Sequence, residues 1–317
     1  MKILMLYPEF PDTFWSFRHA LQFVRKKSSS PPLGLITIAA LLPDHWEKRL
    51  VDLNIQPLLD WQIAWADMVF ISAMVVQRKS TQELVERCKR RGKTIVAGGP
   101  LFLQEWEKFP LVDHFILNEG ELTLPDFIHD LGMGTPRRLY QSTEFAEMSC
   151  SPMPMWELVN LKRYDSLSIQ YSRGCPFDCE FCNITAMLGH KPRTKSASQI
   201  LAELDQMYQL GWRRNIFFVD DNFIGNKRQL KEEILPALIE WRKGKTGCSF
   251  VTEASINLAD DPELMEMMAA AGFTQVFVGI ETTHEASLVE CNKGQNRNRN
   301  LLESVHRMLK KGLQVMG

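Results

Sequence analysis

The 317-residue chain has almost no net charge, no long apolar run and no paired set of cysteines. Each shortage removes a class of protein. A formal charge of −1, from 37 basic and 38 acidic residues, leaves no bulk field to attract nucleic acid or an anionic membrane surface. No apolar stretch reaches the roughly 20 residues that a membrane-spanning helix needs. The N-terminal run MKILMLYPEF meets Glu9 and Pro11 too early to serve as the core of a signal peptide. A cytoplasmic protein is therefore expected, with no transmembrane segment and with a small molecule rather than nucleic acid as its partner. Seven cysteines are an odd number, and Cys88, Cys150, Cys248 and Cys291 stand singly, unlike a secreted disulfide framework. Those four read as buried apolar fillers.

What is present divides into two differently built parts. Apolar runs at 2–8, 49–54, 67–76, 94–100 and 114–121 have strand length, and several end in Gly, Asn or Asp. Helical patterns lie between them at 34–43 and at 81–92, with Thr81 as N-cap and Gly92 as the stop. Strands alternating with helices imply an α/β domain, a doubly wound parallel sheet, over residues 1–131. Ligands of such sheets sit beyond the carboxyl ends of the strands. The residues found there include Asp52, Ser72, the Gly98-Gly99-Pro100 turn and Asn118-Glu119-Gly120. The glycine pair admits either a close backbone approach to a ligand or a plain tight turn. Residues 132–163, rich in Pro, Gly and Ser with few periodic apolar positions, read as a linker.

A second strand and helix series fills 164–317, with strands near 166–172, 215–221, 249–255, 275–281 and 313–316. Ser196 with Gln199 forms a capping-box pattern before one helix, and Asp261-Pro262 starts another that Gly272 ends. Successive units without a reversal suggest a β/α barrel with its active residues at strand carboxyl ends. The sequence stops within the fifth of these strands, which implies a partial barrel cut short there.

The stretch YSRGCPFDCEFCNIT places Cys175, Cys179 and Cys182 within eight positions. A structural zinc site wants four Cys or His ligands, and the nearest further candidate, His190, lies eight residues on. An iron–sulfur cubane held by thiolates also ordinarily has four. Three leave one iron open to a small chelating molecule.

The C-x3-C-x2-C spacing, with Phe181 before the last cysteine and a strand before the first, closely resembles the signature of the radical SAM enzymes. That resemblance implies a 4Fe–4S cluster on Cys175, Cys179 and Cys182, with S-adenosylmethionine chelating the open iron and cleaved there to a 5′-deoxyadenosyl radical. It further implies S-adenosylmethionine contacts from Phe181, from Asp220, Asp221 and Asn222 after the second strand, and from Glu253 and Glu281 after the third and fourth. Each acid has a plainer role open to it as a helix cap or solvated turn.

The first part, with PPLGLITIAALLP (31–43), VDLN (51–54) and AGGP (97–100), resembles the cobalamin-binding, Rossmann-like domain of B12-dependent radical SAM proteins. Gly34, Asp52, Ser72, Gly98, Gly99, Pro100, Glu119 and Gly120 become cobalamin contacts by that resemblance. The D-x-H-x-x-G pattern that ligates cobalt from below is absent: counting from Asp12, Phe14 takes the His place and Phe17 the Gly place, with His19 only nearby. Base-off cobalamin without a protein imidazole is the implied state. The order of GCPFDCEFC, VDDNF, PPLGL and ADMVFISAM elements is similar to the branch that includes hopanoid C-2 methylases. The resemblance implies a metal-binding methyltransferase acting on an unactivated carbon of a small molecule or lipid, fed electrons by a partner such as flavodoxin or ferredoxin. Cyclisation or rearrangement with the same cofactors is the alternative, as is a non-catalytic iron–sulfur or cobalamin-binding regulator.

Overall fold

A computed structural model of the chain describes residues 1–13 and 16–317, which form two compact units. The first comprises Met1–Ala146 with Cys150–Asp165, the second Glu147–Ser149 with Ser166–Gly317.

In the first unit six strands, β1 (Lys2–Tyr7), β2 (Glu47–Asp52), β3 (Met68–Ser72), β4 (Thr94–Gly98), β5 (His114–Ile116) and β6 (Leu139–Tyr140), form one sheet in the order β2-β1-β3-β4-β5-β6. Every pair is parallel. Side chains alternate across a strand, and β1 shows the consequence: Leu4 and Leu6 enter one core, Ile3 and Met5 the other. All four are fully buried, each contributing about 1.5–3 kcal/mol. Helices Asp60–Trp65, Arg78–Arg90 and Pro100–Glu105 cover the first face through Ile63, Leu84, Cys88 and Phe102. Helices Leu33–Leu41 and Gly120–Gly132 cover the second through Leu35, Ala39, Leu124 and Phe127. Because β1 pairs with both β2 and β3, the winding direction reverses beside it, the place where doubly wound sheets open a crevice.

In the second unit β7 (Leu167–Ile169), β10 (Asn215–Phe218), β11 (Ser249–Glu253), β12 (Phe273–Phe277) and β13 (Gln314–Met316) form a parallel sheet in chain order. In sequence, β7 and β10 are separated by an antiparallel ribbon of β8 (Ser172–Arg173) and β9 (Arg193–Thr194), a sheet of its own. The core is aromatic: Phe218, Phe223, Phe250 and Phe273 pack edge-to-face or tilted, with ring centroids 4.9–5.4 Å apart. Ser196 caps its helix by accepting from Gln199 N–H, Asp261 caps the helix Pro262–Ala271 by accepting from Leu264 N–H, and Gly272 ends that one at φ 99°. Among the described residues no helix is long and apolar enough to cross a membrane.

Three readings need correction. Thr81 is not a cap: the helix starts at Arg78, and the buried Thr81 hydroxyl donates back to the carbonyl of Gln77 at 2.9 Å. The stretch 132–163 is not a free linker. It supplies β6, and its Trp156 is fully buried in the first unit, as is Tyr164 immediately after it. Of the four scattered cysteines Cys88 and Cys248 are buried, but Cys150 is exposed and Cys291 only partly covered.

Candidate functional site

The cysteine loop springs from the carboxyl end of β7 and is closed at its base by the ribbon of β8 and β9. Gly174 makes the turn into it at φ 98°, where a Cβ would lie 2.8 Å from the carbonyl oxygen of Lys191 and 2.9 Å from that of Gly189. No other residue fits there. Cys175 N–H donates to the carbonyl of Gly189 at 3.2 Å, and Cys182 N–H to that of Cys179 at 3.0 Å. Burial pushes the Cys175 thiol up, and the neighbouring Cys182, Asp221 and Cys179 add to that. Among the described residues no three His, Cys, Asp or Glu side chains converge on a single point. A cubane instead takes one thiolate at each of its separate irons.

Beside the loop stand the acids of the neighbouring strand ends, and they divide into two kinds. Asp220, after β10, is buried with its carboxylate turned inward, accepting from Tyr171 N–H at 3.2 Å, from Ser172 Oγ at 2.6 Å and from Ser172 N–H. It fixes the strand that enters the cysteine loop. Asn222 is likewise spent, its Oδ1 accepting from the N–H and hydroxyl of Ser255, each at 3.1 Å. Asp221 and Glu253 are different: both are half-buried and burial raises both, Glu253 to about 7 with the Asp221 charge adding to the rise. Glu281 sits four residues past β12 at φ 60°, bonded through Oε1 to Lys293 Nζ at 2.8 Å. The same Nζ lies 5.2 Å from the ring centre of Phe181, which is otherwise exposed. Lys293, buried on a loop with no motif to mark it, is invisible to sequence reading.

The first unit gathers its candidate residues along the carboxyl edge of its sheet. Asp52 ends β2, Ser72 ends β3, Gly98 ends β4, Pro100 opens the following helix and Gly120 another, with Glu119 just before it. Several serve the fold as well. The buried Asp52 carboxylate accepts from Asn54 N–H at 2.9 Å, Asn54 Nδ2 at 2.6 Å and Tyr164 Oη at 2.8 Å. A Cβ on Gly98 would sit 2.7 Å from the Ile116 carbonyl oxygen, and one on Gly99, at φ 92°, 2.8 Å from Ser72 Oγ. The glycine pair is thus required by the protein's own backbone. Gly120 gives way to Ile38, and buried Glu119 accepts from Ala146 N–H at 2.5 Å. Gly34 alone of these glycines faces open space. Phe14 lies outside the described residues; the His19 side chain is exposed, 3.9 Å from Asp12.

Two family models match the chain: the B12 binding domain over residues 24–128 and the Radical SAM superfamily over 169–317. The chain carries a B12 binding domain and a Radical SAM superfamily domain. It is 45% identical over all of its length to an uncharacterized methyltransferase of Synechocystis sp., and 36% identical over 99% of its length to the hopanoid C-2 methylase of Rhodopseudomonas palustris. It spans 59% and 61% of the length of those two relatives. Its fold is similar to that of the cobalamin-dependent S-adenosylmethionine radical enzyme OxsB with aqua-cobalamin bound, at TM-score 0.77 and 18% identity, covering 99% of this chain and 48% of that one.

The two domains imply a 4Fe–4S cluster with S-adenosylmethionine, and cobalamin. The donor set of this radical SAM domain suits the cluster: three thiols on one tightly held loop, with an amide N–H of Gln295 directed at Cys179 Sγ. The B12 binding domain offers a glycine-bearing strand edge beside its winding reversal, with room at Gly34.

Proposed function

We propose that this B12-binding radical SAM protein methylates an unactivated carbon of a small apolar molecule or lipid, the polycyclic class of the hopanoid methylase relative being the first to test. The observation that carries the reading is the loop bearing Cys175, Cys179 and Cys182 at a barrel strand end, in one chain with a B12 binding domain. When bound, the cluster supplies the electron that opens S-adenosylmethionine, and cobalamin supplies a transferable methyl group. The three cysteines hold the cluster. Asp221 and Glu253 bind and orient the polar groups of S-adenosylmethionine, and Phe181 covers it. Asp220 and Asn222 hold the loops in place from within. Glu281 acts together with Lys293, so the nucleoside meets a neutralised pair rather than a free carboxylate. On the first unit Gly34, Ser72 and Pro100 meet cobalamin directly, while Asp52, Gly98, Gly99, Glu119 and Gly120 shape the edge that receives it. A flavodoxin or ferredoxin in the cytoplasm delivers the electron. No acid or base is needed for homolytic transfer of a methyl group to a substrate carbon radical, so no catalytic histidine is assigned.

Anaerobic reconstitution should give a brown protein with about four irons and four sulfides per chain. Replacing any one of Cys175, Cys179 or Cys182 by Ala should abolish that iron, whereas Cys88→Ala and Cys248→Ala should leave it unchanged. Equal loss from all five would undo the ligand assignment. With trideuteromethyl S-adenosylmethionine and a lipid extract, the product should gain one labelled methyl group alongside 5′-deoxyadenosine. Deoxyadenosine with a product of unchanged mass would mean cyclisation or rearrangement instead, and no deoxyadenosine at all would leave a regulator.

A further inference from the structure

The turn after the helix Glu285–Glu290 grips the cysteine loop at four consecutive residues. Asn292 Nδ2 donates to the carbonyl of Asp178 at 2.7 Å, and Gln295 Nε2 approaches Cys179 Sγ at 3.5 Å. Glu180 N–H donates to the carbonyl of Cys291 at 3.0 Å, and Lys293 Nζ stands 5.2 Å from the centre of the Phe181 ring. The turn is itself tied down on its far side, because Asn296 Nδ2 donates to the carbonyls of Gly279 and Ile280 at 3.1 and 3.0 Å. So many short links across more than a hundred residues of sequence make the turn and the loop one mechanical piece.

From the turn, the side chain of Gln295 reaches a sulfur of the cysteine loop. A thiolate accepts hydrogen bonds and cannot donate one, so the nitrogen end of the amide is the end that belongs there. The oxygen end is buried without a hydrogen-bond partner among the described residues, while the nitrogen end approaches Cys179 Sγ. Lys293 brings a positive charge close by, but Glu281 at 2.8 Å compensates it. The amide dipole is uncompensated.

We propose that Gln295 is a positioning residue that sets the reduction potential of the cluster, with Cys291–Asn296 as its rigid mount. The inference rests on the cluster reading above. A donor on a ligating sulfur withdraws electron density from it and favours the reduced cluster, which carries one more negative charge. The amide therefore makes the one-electron reduction by an external low-potential donor easier, and no bond is made or broken.

The test is a dithionite titration of the reconstituted full chain, followed by paramagnetic resonance in the presence of mediators and without S-adenosylmethionine. Gln295→Leu removes the donor, and the isosteric Gln295→Glu places a carboxylate against the sulfur. Both should keep the wild-type iron content. At a fixed potential the ratio of reduced to oxidised cluster should fall about tenfold with Leu and further with Glu, as loss of a hydrogen bond to sulfur and then added negative charge require. Should Leu disturb the packing and lose iron, Glu alone decides. Fully loaded variants that titrate at the wild-type potential would overturn the proposal. A wild-type chain that takes up no iron would overturn the cluster reading itself, a distinct result.

Discussion

Asp220 shows how far a single side chain can depart from what its place in the sequence suggests. Read along the chain it ends a strand and faces a ligand; in the fold it holds Tyr171 and Ser172, nearly fifty residues earlier. Three donors favour its anion, burial disfavours it, and burial wins, pushing the carboxyl up to about 7. Between the ordinary carboxylate range and pH 7 the folded chain therefore keeps a proton that the unfolded chain releases. Stability attributable to this group should fall as pH rises through that window and level off above it. Urea unfolding from pH 5 to 8 should show the decline in wild type and a flatter profile in Asp220→Asn. A decline unchanged by the substitution would exclude Asp220 as its source. Asp220→Ala should cost about 1–3 kcal/mol, because two buried backbone N–H groups lose their acceptor. The cysteines were legible where Asp220 was not, since their chemistry is written in local spacing. The Asp220 carboxylate, and the Tyr164 bond to Asp52, join residues that no local pattern connects.

Among elements, strand ends and the glycines near them deserve separate tests. Val at Gly98 or Gly99 should unfold the first unit, whether or not cobalamin binds, since the new Cβ meets Ile116 carbonyl oxygen at 2.7 Å or Ser72 Oγ at 2.8 Å. Gly34→Ala is the informative substitution. It adds a methyl group in open space near the start of a helix and should leave stability the same or raise it by up to about 1 kcal/mol. Weaker retention of hydroxocobalamin by a Gly34→Ala chain of undiminished thermal stability would locate the cofactor at that helix. Undiminished retention would remove Gly34 from the contact set. Strands β1 to β5 were readable because apolar runs of that length, bounded by turn residues, have few other uses. Strand β6 was not: it is two residues long and flanked by single-turn helices at Met148–Cys150, Trp156–Leu158 and Leu161–Arg163, too short for any period to show.

For the molecule as a whole, that misreading changes where the first unit must be cut. Residues 1–131 contain five strands and most ligand-edge residues, but they omit the strand beside β5 and the segment that seals the second face. Met155 N–H donates to the carbonyl of Ile36, Tyr164 Oη to Asp52, and the side chains of Trp156 and Tyr164 are wholly buried. Removing them would expose two large aromatic sites, at about 1.5–3 kcal/mol each, a sizeable part of the 5–15 kcal/mol that holds a domain folded. It would also strand a buried carboxylate whose proton affinity burial already raises. A fragment of residues 1–165 should therefore unfold cooperatively in urea and carry hydroxocobalamin through gel filtration. A fragment of residues 1–131 should do neither. Equal behaviour of the two would mean that 132–165 only decorates the sheet. Cooperative unfolding of the longer fragment without cobalamin retention would place essential cofactor contacts outside it and remove the carboxyl edge of this sheet as a sufficient binding site.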